Sequence, residues 1–287
     1  MTSYDAEITY DTYADDDAQG DGLPRIQSRH GDPAANSAFR FFLAQENTFD
    51  GFEPSEPWRA HTEYFKATNT RVPGWACEAL PMMIICARSQ VYAKGPDGKR
   101  TSWVASWPKD APKNSHGMHV DVLLYAKGLE LLGPVVWSTN GSTTSFAIIG
   151  QKGTRQPEGG ILSRIRDEVL STADRLSAKV KTRAKAKAYW AFWATIAGAV
   201  DAKGAPVYTQ PIAGGSVVTI PVPVLPAVLD GKWLAGVYVG ADLDAYGRQL
   251  RAEYETWRTE TRTDTPTPAT NGNGRNVPQD VSDDVEF

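Results

Sequence analysis

Cysteine is scarce in this chain: 287 residues hold two, Cys77 and Cys86. Two thiols cannot build a multi-bridge framework, and their nine-residue spacing is not that of a zinc site. A reducing compartment is therefore expected. Long hydrophobic runs are missing as well. The longest, 188–200, has 13 residues, short of the roughly 18–20 needed to span a bilayer. The opening residues Met1-Thr2-Ser3-Tyr4-Asp5 carry no basic segment of the kind that starts a secretory signal. A cytoplasmic protein with no membrane partner is expected. No Gly-rich phosphate loop ending in Lys-Ser/Thr is present, and no Gly-x-Ser-x-Gly elbow. Those absences predict a protein that is not an enzyme and needs no cofactor.

Lys and Arg are missing from residues 1–22, which hold seven acids. Residues 264–287 hold five acids against Arg275 alone. Between Leu23 and Thr263 stand 29 basic and 22 acidic residues, a net of +7 concealed by the overall −4. A basic body suggests a polyanionic partner, and acidic ends suggest arms that compete for that surface or address other proteins. Three regions follow: a disordered acidic arm (1–22), a globular body (23–263), and a flexible Pro/Thr/Asn/Gly linker with an acidic tip (264–287). Nine Trp, nine Phe and eleven Tyr in the whole chain exclude disorder throughout.

The first half of the body reads as β. An apolar run over 81–92 and a second strand over 101–107 flank Lys94-Gly95-Pro96-Asp97-Gly98-Lys99, a hairpin pattern. Further strands are predicted over 119–125 and 135–149, the latter broken at Asn140-Gly141. Residues 161–182 change period: Leu162, Ile165, Val169, Ala173, Leu176 and Val180 form one apolar stripe of a helix. Arg164, Arg175 and Lys179 fall off that stripe, on a neighbouring basic face. The alternation over 181–193 predicts a strand, paired through Ala202-Lys203-Gly204 to 206–209. The proline-rich 220–226 can only be an extended edge or a connection. A closing helix over 242–259 takes Asp242 as its N-cap and gathers Leu243, Tyr246, Leu250, Tyr254 and Trp257 on one side.

Aromatic residues interleaved with bases carry the chemistry. One group comprises Lys99, Arg100, Trp103, Trp107, Lys109 and Lys113, with Lys94 at its edge. The other comprises Arg164, Arg175, Lys179, Lys181, Arg183, Lys185 and Lys187, leading into Tyr189, Trp190, Phe192 and Trp193. Cations neutralise phosphates while ring faces stack on unpaired bases, which is how single strands are bound without sequence reading. Alternation sends about half of the 189–193 rings into the core. His116 and His119 could approach a metal, and Glu78, Asp121 and Glu130 could form an acid cluster. No metal ligand is predicted from either set.

The chain ends Ser282-Asp283-Asp284-Val285-Glu286-Phe287 after its low-complexity linker. This tail resembles that of bacterial single-stranded DNA-binding proteins, whose tip reads Asp-Asp-Asp-Ile-Pro-Phe, and of phage counterparts ending in acids and Phe. The resemblance implies an OB-fold-like β-barrel core; with the two helices and the disordered acidic termini read above, the expected fold is a β-rich α+β chain with that barrel and two accessory helices. It implies a phage or mobile-element protein that coats and protects single-stranded DNA in replication, recombination and repair. Asp283, Asp284, Val285, Glu286 and Phe287 would then recruit replication and recombination proteins. Self-association is left open. The alternatives are a metal-dependent nuclease and a virion or scaffold component.

Overall fold

The structure is a computed structural model that describes residues 22–30, 38–65, 69–96, 100–112, 115–140, 148, 160–179, 188–208, 219 and 221–260. The acidic arm before residue 22, residues 181–187 of the strand expected over 181–193, the linker and the tip lie outside them. So do Lys99, Lys113, Lys181, Arg183, Lys185 and Lys187.

Ten strands form one mixed sheet: β1 (Arg25–Arg29), β2 (Arg40–Ala44), β3 (Arg59–Phe65), β4 (Thr70–Cys77), β5 (Ala79–Lys94), β6 (Arg100–Val104), β7 (His116–Ala126), β8 (Val135–Asn140), β9 (Ala194–Gly198) and β10 (Pro221–Pro223). Their order is β10-β9-β5-β7-β8-β1-β2-β4-β3, with β6 attached to the far end of β5. Only β1 and β8 run parallel; every other pair is antiparallel. The chain is thus a β-rich α+β protein built on a large sheet. The path of described strands stays open, with β10 and β3 as its ends. The strands at 81–92 and 101–107 are present as the β5–β6 hairpin, although β6 stops at Val104. The prolines of β10 keep it on the edge, as their missing N–H groups require.

The sheet buries both faces. Ile26, Phe41, Leu43, Leu80, Met82, Ile84, Val120, Val122, Leu124 and Trp137 line the first face. A helical run covers it: α1 (Ile161–Arg164), a π-helical turn (Ile165–Leu170) and α2 (Ser171–Lys179). Ile161, Leu162, Ile165, Val169 and Leu170 point into that core, most of them on the expected stripe. Met83, Ile85, Cys86, Leu123 and Val136 line the second face, under Leu250 and Trp257. A β-bulge makes this possible. Ile84 pairs with Leu124 and Cys86 with Leu123, so Ile85 is the extra residue. The bulge reverses the alternation of β5, and Arg88 and Gln90 consequently follow Cys86 onto the second face.

The β3–β4 end folds back over the second face. In a flat sheet Phe65 and Phe42 would lie about 20 Å apart along the ladder, yet their ring centroids are 6.1 Å apart. Phe42, Ala44, Phe65 and Val72 close a small core beneath the fold-back. The bend passes through Gly74, where a Cβ would stand 2.1 Å from the Leu43 carbonyl oxygen.

Three expectations are corrected. The closing helix is two helices, α4 (Ala241–Glu253) and α5 (Glu255–Thr259), interrupted at Tyr254. Asp242 sits in its first turn, favourable to the helix dipole, and Gly240 at φ 90° is the N-cap instead. Tyr189–Ala191 is a 3-10 turn rather than a strand, because the chain must turn there into β9 while burying Tyr189. The turn at 202–204 does form, with the Asp201 carboxylate accepting from Lys203 and Ala205 N–H groups, but it closes a single bridge, Val200 to Pro206. A further short helix, α3 (Gly231–Val237), is capped by Asp230, whose carboxylate accepts from the Trp233 N–H at 2.8 Å.

The fold-back yields a direct test. Gly74→Ala should cost about 1–3 kcal/mol, the usual range for overpacking, because backbone rather than a flexible side chain blocks the new methyl. Denaturant melts of the two proteins measure it. Equal midpoints would mean that β4 does not bend against β2.

Candidate nucleic-acid interface

The second face carries a polar layer centred on Asp121, which has no exposed surface. Asp121 Oδ2 accepts from Arg88 Nε at 3.2 Å and Nη2 at 3.0 Å. Its Oδ1 accepts from Ser138 Oγ at 2.7 Å, lies 2.8 Å from His119 Nε2, and is 3.4 Å from Arg25 Nη1. Burial alone would push this carboxyl up. His119, Arg25 and Arg88 outweigh it and hold the carboxyl well below the usual range. Arg88 also stacks 4.0 Å from the Trp257 ring centroid and donates to the Trp257 carbonyl at 3.3 Å, tying α5 to the sheet. A second cluster lies under the fold-back: Glu63 accepts from Arg40 at 2.8 Å and meets Arg29 at 3.3 Å and His61 at 3.1 Å. The Arg29 guanidinium covers the Phe65 ring at 4.6 Å.

The β5–β6 hairpin divides its predicted residues. Trp103 is buried, edge-on to Tyr92 at 6.0 Å and to His119 at 5.6 Å. Its ring is packed in the core in this structure, not displayed on the surface as a stacking role would have it. Arg100 lies 4.4 Å above that ring, and Lys94 is 5.9 Å from the Tyr92 centroid. Trp107 differs: it is 45% exposed and tilted against His116 at 5.8 Å. Lys109 beside it is exposed. On this edge of the first face Ser89 is exposed, and Val91 and Met118 are half-buried. Trp107 thus borders a stretch of sheet that no described helix covers.

The second predicted group behaves otherwise. Tyr189 is buried and donates its hydroxyl to the Leu162 carbonyl at 3.3 Å. It is a core residue, against expectation. Trp190 presses on Gly247 of α4, where a Cβ would meet its ring at 2.6 Å. Trp193 packs with Tyr125 at 6.5 Å, and the Lys127 ammonium stands 5.0 Å from its ring centroid. These rings dock α4 onto the sheet. Arg164 pairs with Glu168 at 3.1 Å, Arg175 is exposed, and Lys179 ends α2. Arg164 and Arg175 belong to the layer over the first face, whereas Trp103 faces the second, so these described members of the two groups lie on opposite sides of the sheet.

His116 and His119 are three apart on β7, and an odd spacing on a strand sends side chains to opposite faces. His119 meets Asp121, while His116 Nδ1 is 2.7 Å from Ser115 Oγ. Among the described residues no group of His, Cys, Asp and Glu could hold a metal ion; Glu78, Asp121 and Glu130 are not brought together. Burial pushes the Cys77 and Cys86 thiols up to about 11, so neither is a nucleophile at neutral pH. No described helix is long and apolar enough to cross a membrane. No family model matches the chain, nor does any curated protein or solved structure.

Asp121 supplies the prediction. Asp121→Ala leaves two buried guanidiniums facing each other and should cost about 3–5 kcal/mol. Because the native carboxyl is depressed, its contribution is complete above the unfolded value near 4 and is lost as pH falls through the folded value. Urea melts of wild type and Asp121→Asn between pH 2 and 7 should show the gap narrowing toward acid. A gap independent of pH would mean that the carboxylate charge contributes nothing.

Proposed function

We propose that this protein binds single-stranded DNA in the cytoplasm, without catalysis, through the surface around Trp107. The observation that carries the reading is the exposed Trp107 ring beside His116, on an uncovered edge of the sheet with Lys109 exposed nearby. A flat aromatic ring within reach of cations suits an unpaired base and its phosphates; a duplex would hide its base faces from that ring. The +7 body supplies the longer-range attraction. The tip at Asp283, Asp284, Val285, Glu286 and Phe287 completes the proposal as a recruiter of replication and recombination proteins, its ring filling an apolar pocket and its acids meeting basic residues. The reading does not depend on an OB-type barrel, since a curled sheet with an open edge offers the same chemistry.

Titrating labelled oligo-dT against the full chain, with duplex as control, tests this. Contact with about four phosphates predicts a log–log salt slope near −3. Trp107→Ala should weaken oligo-dT binding about tenfold, within the range for one lost stack, and leave the melting temperature unchanged. Equal affinity for duplex, or full affinity without Trp107, would contradict the reading.

A further inference from the structure

Gln90 is 3% exposed, and neither its Oε1 nor its Nε2 has a hydrogen-bond partner. Leaving a buried amide unpaired costs free energy that an apolar side chain of similar size would not. Its neighbours cannot help. Gln90 stands opposite His119 in the β5–β7 ladder, and His119 is engaged with Asp121. Asp121 in turn is saturated by Arg25, Arg88 and Ser138. Aromatic rings stand beside it: Trp103 lies against His119, and Tyr92 follows two residues on, paired with Trp103 across β6.

An unspent donor and acceptor, side by side among rings, match the edge of a nucleobase. A phosphate, which only accepts, would leave the amide oxygen unpaired. Access is through β6, a short strand at the edge of the sheet. It has four ladder pairs, a register shift at Ala93/Lys94, and no described strand on its other side. We propose that Gln90 hydrogen-bonds the edge of one unpaired base, admitted when β6 moves off β5. This rests on the single-strand reading above and adds a base-reading contact to it.

The test is a cycle on the full chain. Gln90→Leu and Gln90→Met remove the amide and keep its bulk. Each is titrated against oligo-dT and against an abasic oligonucleotide of equal length, with melting temperatures measured in parallel. The expected result is a loss of about tenfold on oligo-dT, no change on the abasic strand, and an equal or higher melting temperature. Wild-type affinity for oligo-dT in both variants would overturn the proposal and leave the single-strand reading standing. So would an equal loss on the two strands. Failure of the wild type to bind either strand would overturn both.

Discussion

A carboxylate out of contact with water sits in the middle of the sheet, and the surrounding architecture exists in part to answer it. Asp121 would be intolerable on a buried strand without Arg25 from β1, Arg88 from β5 and Ser138 from β8. Those partners come from three strands far apart in sequence, so the ion cluster closes only when the sheet order is correct. Arg88 extends the constraint further, since it also holds the Trp257 ring and carbonyl of the last helix. The two faces are thereby specialised: an apolar one under the helical run from Ile161, and a mixed one with charge at its centre.

Much of the strand content was legible. The 81–92 run, its Gly/Pro turn, the edge role of the prolines and the apolar stripe of 161–182 follow from local periodicity, which the sheet and helices obey. The charged layer was not legible. Its geometry depends on the extra residue Ile85, which shifts Arg88 and Gln90 from the phase of Met82 and Ile84 to the opposite face. Nothing local in a continuous apolar run marks which residue will bulge. The fold-back at Gly74 is equally non-local, because the close approach that demands glycine is to Leu43, thirty-one positions earlier.

The aromatic segments show the same division. Trp103 and Trp107 share a stretch of sequence, yet one is locked between Tyr92 and His119 while the other lies past the end of β6 in water. Composition cannot separate them; strand length can. Tyr189, Trp190 and Trp193 look like a stacking platform in sequence, but Tyr189 is buried against Leu162 while Trp190 and Trp193 join the core that holds α4 on the sheet. At the hairpin end, by contrast, the exposed Trp107 ring meets His116 beside an edge that no described helix covers, with Lys109 exposed two residues on.

The proposed function is therefore one of place: we propose that single strands meet the hairpin end rather than the 189–193 rings. Photo-cross-linking the full chain to bromouracil-substituted oligo-dT, followed by peptide mapping, tests it most directly. The account predicts adducts within 100–119, with Trp107 or His116 among them. Adducts confined to 189–193 or to the helices over 241–259 would contradict it.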